Sequence, residues 1–170
     1  VNRRQRQMCI RDSNKGNQGR TTAGNVQVMS AGTGIYHSEF NLENEETNIY
    51  QIWIKPKING VEPNWNMAEF PKQPVTDSLQ LLVSGEETSP LNINQDARIY
   101  AGRMNKSTKI THNVIGKAYV LISEGNIEVN GNKAQKGDGL SISDETSLDL
   151  EALNDAEAVI IEVPGKENAR

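Results

Sequence analysis

Short runs of alternating apolar and polar residues recur along most of the chain. The first runs lie at residues 26–29, 36–41 and 48–54, and the third is rich in β-branched and aromatic side chains. Period-two alternation is typical of strands that bury one face. No apolar repeat with helical spacing lasts longer than two turns, so the pattern predicts an all-β protein.

A second series of apolar runs begins at residue 79. Predicted strands cover residues 79–84, 99–104, 109–111, 118–123, 140–142, 147–150 and 158–163. Within residues 125–133 the alternation is interrupted by Asn130-Gly131, a pair that accepts the positive φ angles of a tight turn, which predicts a hairpin. Many short strands separated by regular turns indicate a sandwich or a barrel.

Between the two series lies a stretch rich in proline. Pro56, Pro63, Pro71 and Pro74 stand within about twenty residues, together with the turn signal Asn59-Gly60. We therefore expect residues 56–76 to be an extended connection between two β-domains.

Composition and charge narrow the range of partners. The chain has 170 residues and a net charge of −4, and its arginines cluster in residues 1–12, so the remainder is more acidic still. An acidic body repels a phosphate backbone, which excludes nucleic acid as a direct partner. No apolar stretch is long enough to cross a membrane. The single cysteine, Cys9, cannot form an intramolecular disulfide, so we expect a cytoplasmic protein.

The first thirteen residues stand apart from the rest. RQMCIRDS, residues 6–13, resembles the translation of a sequencing adapter joined to a gene fragment. We interpret residues 1–13 as a non-native segment, in which case the natural protein begins earlier than this chain. The alternative interpretation is a basic arm that binds an anionic partner.

A longer motif follows this segment. GNVQVMSAGTGIYHSE, residues 24–39, resembles the signature of pirins and of pirin-like bacterial quercetin dioxygenases. YQIWI, residues 50–54, is similar to another element of that family, and so is the hairpin sequence DSNKGN, residues 12–17. The resemblance extends over residues 14–165 and implies a double cupin, two β-barrels in one chain.

The resemblance also implies how the two barrels divide the sequence. Residues 14–55 would be the remnant of the N-terminal cupin, residues 77–165 the C-terminal cupin, and residues 166–170 a tail. Because strands upstream of residue 14 are missing on this interpretation, we expect the first barrel to be incomplete and open.

The same family binds a metal in its N-terminal barrel through three histidines and one glutamate. The resemblance assigns two of these ligands to His37 and Glu39, whereas the upstream His-x-His pair has no counterpart here. Two strand residues separated by one project from the same face, so His37 and Glu39 can share one ion. Taken alone, such a pair is more often a solvated strand face.

Nitrogen and oxygen donors together suit one divalent transition metal, with iron expected first and nickel, manganese, copper or zinc as alternatives. With only two ligands in this chain, we expect poor metal retention. The second histidine, His112, has no histidine or carboxylate at ligand spacing and is expected to be a structural residue. The sequence indicates no separate cofactor-binding motif, such as a glycine-rich phosphate loop.

Three functions are consistent with this resemblance. The first is a metal-dependent dioxygenase acting on a small aromatic, flavonoid-like substrate, with Glu39 as a catalytic base in the full-length protein and the fragment itself inactive. The second is a non-catalytic metal-binding regulator that acts through a protein partner, in the manner of a transcription cofactor. The third is a cupin that binds a small molecule.

Overall fold

The computed structural model describes residues 7–12, 18–22, 24–41, 44, 46, 48–86 and 89–164, with only the backbone described at 7–12 and 18–22. These residues form β-strands joined by turns and contain no α-helix. No part of the described chain forms a helix long and apolar enough to cross a membrane. The predicted all-β class is confirmed.

The described part of the N-terminal region contains five strands. They are β1 (Gln7–Asp12), β2 (Gln18–Thr22), β3 (Asn25–Ser30), β4 (His37–Asn41) and β5 (Asn64–Glu69). β1 lies between β2 and β4 in a three-stranded antiparallel sheet, and β3 pairs with β5 in a separate antiparallel ribbon. Among the described residues, neither sheet closes on itself.

β1 falls within residues 1–13, the segment interpreted above as non-native. It pairs with the strand that carries the candidate ligands, with Asp12 opposite His37 and Ile10 opposite Glu39. The adapter interpretation of residues 1–13 stays a prediction.

Ten strands form the C-terminal region. They are β6 (Gln80–Ser84), β7 (Leu91–Asn92), β8 (Arg98–Met104), β9 (Lys109–Asn113), β10 (Lys117–Glu124), β11 (Asn126–Val129), β12 (Asn132–Gln135), β13 (Gly139–Ile142), β14 (Ser147–Ala152) and β15 (Ala156–Val163). One sheet has the order β13-β10-β15-β8-β6-β7 and the other the order β12-β11-β14-β9. All pairs are antiparallel except β6 with β7.

The two C-terminal sheets enclose one apolar core. Alternation along β15 places Ala156, Ala158 and Ile160 in this inner core, while Val159 and Ile161 point to the other face of the six-stranded sheet. Because successive side chains of a strand point to opposite faces, one strand can serve two apolar layers. The six-stranded sheet is therefore covered on both sides.

The predicted hairpin forms β11 and β12. Its turn residues Asn130 and Gly131 have φ angles of 47° and 78°, the pair of positive values that a tight hairpin turn requires. The Asn130 side chain also accepts a hydrogen bond from the Asp149 backbone N–H at 2.7 Å, which ties the turn to β14.

The ribbon of β3 and β5 packs on the outer face of the six-stranded sheet. Val26, Val28 and Ala68 of the ribbon contact an outer cluster of buried side chains. That cluster comprises Leu82, Val83, Leu91, Ile99 and Ala101. The N-terminal ribbon is thereby fixed to the C-terminal sandwich by apolar contact.

Two sequence predictions in this region were wrong in detail. Residues 48–54 were predicted as a strand, but they are irregular, and Trp53 is 87% exposed. No strand of the described chain pairs with them, and Ile54 at their end packs against buried side chains of the six-stranded sheet. Conversely, β5 lies inside the expected connection 56–76, because the six residues of β5 fit between Pro63 and Pro71 without a proline.

We expect amide hydrogen exchange to be slowest in β8, β10 and β15 and fastest in residues 48–54. Each of the three strands is paired on both sides within the six-stranded sheet, whereas residues 48–54 make no backbone hydrogen bond among the described residues. Exchange followed by mass spectrometry measures this difference. Equal protection of these segments would contradict the described packing.

Candidate metal centre

Strand β4 presents the two candidate ligands on one face. His37 and Glu39 are separated by one residue, so both side chains project to the same side of the sheet. Their environments differ, since His37 is exposed and Glu39 is half-buried. The exposed imidazole is accessible to an incoming ion, and the carboxylate is partly sheltered from water.

The half-buried carboxylate of Glu39 contacts the ribbon of β3 and β5. The side-chain amide of Gln27, on β3, donates from Nε2 to Glu39 Oε1 at 3.5 Å. The indole Nε1 of Trp65, on β5, in turn donates to Gln27 Oε1 at 3.3 Å. A chain of hydrogen bonds therefore runs from the ribbon to one candidate ligand.

The ribbon has two chemically distinct faces. Val26 and Val28 point to the C-terminal sandwich, and the intervening Gln27 points to Glu39. Next to Gln27, the Asn25 amide contacts the sulfur of Met67 at 3.5 Å. Strand alternation thus separates a docking face from a face directed at β4.

The candidate metal donors of the described chain are His37 and Glu39 on β4. Nowhere in the described ranges do three side chains of His, Cys, Asp or Glu come together as a group that could hold an ion. The chain has two histidines in all, and the other one, His112, lies in the C-terminal sandwich. His37 and Glu39 remain a pair of nitrogen and oxygen donors, a set that suits a divalent transition metal.

His112 has a different role from His37. Its ring lies in the C-terminal sandwich on β9, 9% exposed, with Nε2 at 2.9 Å from Glu162 Oε1 on β15. The edge of the ring also meets Tyr100, with centroids 4.6 Å apart. These contacts agree with the expectation of a structural histidine. Its partner Glu162 is 50 residues away, so local spacing could not have identified it.

The contact between His112 and Glu162 joins the two sheets of the sandwich. Glu162 is 2% exposed, and among the described residues its second oxygen, Oε2, has no hydrogen-bond partner. Burial, and then the nearby charge of Glu162, raises the pKa of Tyr100. The Arg98 guanidinium, paired with Glu86, has its pKa raised by that hydrogen bond. His112 and Glu162 are thus buried polar groups between the two sheets, whereas the pair of Arg98 with Glu86 is more exposed.

Comparison with known proteins places these features in one family. The family model described as "Pirin" matches residues 6–54, and the model described as "Quercetinase C-terminal cupin domain" matches residues 81–163. The crystal structure of the Escherichia coli bacterial pirin YhhW in complex with nickel(II) superposes with a TM-score of 0.82. It is 34% identical over 94% of this chain and 69% of that one.

The chain belongs to the pirin family.

Relatives compared by sequence agree with this assignment. A pirin-like protein of Caulobacter vibrioides is 43% identical, over 88% of this chain and 66% of its own length. A quercetin 2,3-dioxygenase of Escherichia coli is 34% identical, over 88% of this chain and 65% of its own length. The pirin-family chain described here therefore spans just under two thirds of the length of these relatives.

The structures of this family confirm the predicted cupin fold. The pirin match covers the strands around His37 and Glu39, and the cupin match covers all of β7 to β15. Nickel(II) in the Escherichia coli pirin supports a divalent metal as the group that such proteins bind. The imidazole and carboxylate of β4 fit that chemistry as two donors of a larger set.

We expect His112→Ala to lower the free energy of unfolding by about 3–5 kcal/mol, because it leaves the buried carboxylate of Glu162 without its partner. The matched control is the double variant His112→Leu with Glu162→Leu, which removes both polar groups and keeps the core apolar. Urea unfolding of both variants measures the difference. A double variant as unstable as His112→Ala would contradict the role given to this buried pair.

Proposed function

We propose that this chain carries the histidine–glutamate part of the metal site of a dioxygenase of the quercetin 2,3-dioxygenase type. The observation that carries the proposal is the placement of His37 and Glu39 on one face of β4, with Glu39 sheltered against the ribbon. Relatives named for this activity, and a nickel-bound relative, support it. Iron is the first candidate metal, with nickel next.

His37 and Glu39 would hold the ion, the imidazole through a ring nitrogen and the carboxylate through an oxygen. A bound metal would supply Lewis acidity to a substrate hydroxyl. The substrate class is a small flavonol-like phenol whose hydroxyl must lose a proton. The carboxylate of Glu39 is the base that would accept this proton.

The chain by itself would be a poor enzyme. Two donors hold a transition metal weakly, since the cost of ordering the site is offset by only two coordinate bonds. We therefore propose that the 170-residue chain loses its metal on dialysis and does not turn over quercetin. The activity belongs to the complete gene product, in which the remaining ligands would come from outside the residues described.

The test is oxygen consumption with quercetin by the complete gene product loaded with iron or nickel. We expect turnover, and at saturating metal we expect Glu39→Gln to reduce kcat by about 100-fold or more, because the amide cannot accept a proton. Glu69→Gln is the matched control, an exposed carboxylate on β5 that is paired with Lys72. It should leave kcat unchanged.

Two results would overturn the proposal in different ways. Unchanged turnover in Glu39→Gln with full metal content would remove the base role from Glu39. No oxygen consumption by a protein with bound metal would contradict the dioxygenase assignment and favour the regulator or the small-molecule-binding cupin.

A further inference from the structure

The orientation of Glu39 depends on a side chain that is not itself a candidate ligand. Gln27 lies between Glu39 on β4 and Trp65 on β5, with contacts of 3.5 Å and 3.3 Å. All three residues are half-buried, so water competes less for these hydrogen bonds than it would at an exposed surface.

The strand register explains why Trp65 reaches Gln27. Gln27 is directly opposite Met67 in the ribbon, and Trp65 is two residues before Met67. Trp65 is therefore the diagonal neighbour of Gln27 on the same face, a separation that a large aromatic side chain spans. The contact follows from the pairing of β3 with β5.

The chemistry of the three groups allows one orientation of the amide. An indole N–H can only donate, an ionised carboxylate can only accept, and a glutamine amide has one end of each kind. Trp65 therefore requires the oxygen of Gln27, which turns the Gln27 nitrogen toward Glu39. The opposite flip would place two donors together on one side and two acceptors on the other.

The apolar face of the ribbon makes this arrangement rigid. Val26 and Val28, on either side of Gln27, are packed against the outer cluster of the C-terminal sandwich. The backbone of Gln27 is thus fixed from behind, while its side chain is fixed by Trp65. A site held by packed neighbours keeps its geometry better than one that relies on free side chains.

We propose that Gln27, held in place by Trp65, is a positioning residue that orients the carboxylate of Glu39 for metal binding. The amide holds Oε1, so Oε2 would be the oxygen left to bind the ion, which favours binding through one oxygen. This inference rests on the proposed function, because it requires that Glu39 is a ligand. Residues of this kind typically change metal affinity by about 10- to 100-fold.

The test is the affinity of the complete gene product for nickel(II) alone, measured by competition with a chelator. We expect Gln27→Leu to raise the dissociation constant for nickel by about 10-fold or more. The same substitution should alter the electronic absorption spectrum of the bound nickel. Trp65→Phe keeps an aromatic ring and removes the indole donor. Its nickel affinity should therefore fall as well, but by less than that of Gln27→Leu.

Asn66→Ala is the matched control, because Asn66 is an exposed amide on the same strand as Trp65. Among the described residues, its side chain makes one hydrogen bond, which it accepts from the neighbouring Met67 N–H. Its nickel affinity and spectrum should equal those of the wild type. Should Gln27→Leu fail to fold, Trp65→Phe decides the question by the same two readouts.

The outcomes separate the two proposals. If the wild type binds no nickel, the metal-site assignment itself fails, and the positioning role fails with it. If Glu39→Ala abolishes binding while Gln27→Leu and Trp65→Phe bind nickel with wild-type affinity and spectrum, only the positioning role is overturned.

Discussion

Apolar contact between the β3–β5 ribbon and the six-stranded sheet fixes which face of the ribbon is turned to β4. Val26 and Val28 fix the ribbon on one side, and the alternation of the strand then directs Gln27 to the other side, against Glu39. The candidate metal centre lies in the N-terminal region, and the ribbon beside it packs against the C-terminal sandwich. The C-terminal sandwich therefore supports the ribbon whose Gln27 contacts Glu39.

The two histidines of the chain lie in different environments. His37 is exposed at the start of β4, beside a carboxylate that is partly sheltered. His112 is buried and already committed to Glu162, so a metal there would have to break an existing contact. The contact between His112 and Glu162 joins two sheets and gives the buried carboxylate a hydrogen-bond partner.

Much of this architecture could be predicted from the sequence, because strand alternation and turn residues are local signals. The turn at Asn130-Gly131 and the strands of the C-terminal sandwich follow directly from them. Residues 48–54 were misassigned, since their alternation meets no neighbouring strand in the described chain. β5 was missed because the prolines around it suggested a connection, whereas its six residues pair fully with β3.

The candidate site was predictable only in part. His37 and Glu39 were identified from their spacing and from the family motif, but Gln27 and Trp65 were not. Their contacts join residues 38 positions apart and depend on the register between β3 and β5, which no local pattern specifies. The partner of His112 was missed for the same reason, since Glu162 approaches it only when two sheets are stacked.

The most direct test of the metal centre is an anomalous-difference map from crystals of the complete gene product, recorded at the absorption edge of bound nickel or iron. The predicted result is one strong peak within bonding distance of a ring nitrogen of His37 and a carboxylate oxygen of Glu39. A metal peak elsewhere in the molecule, or an empty position beside both side chains in metal-loaded crystals, would contradict the account.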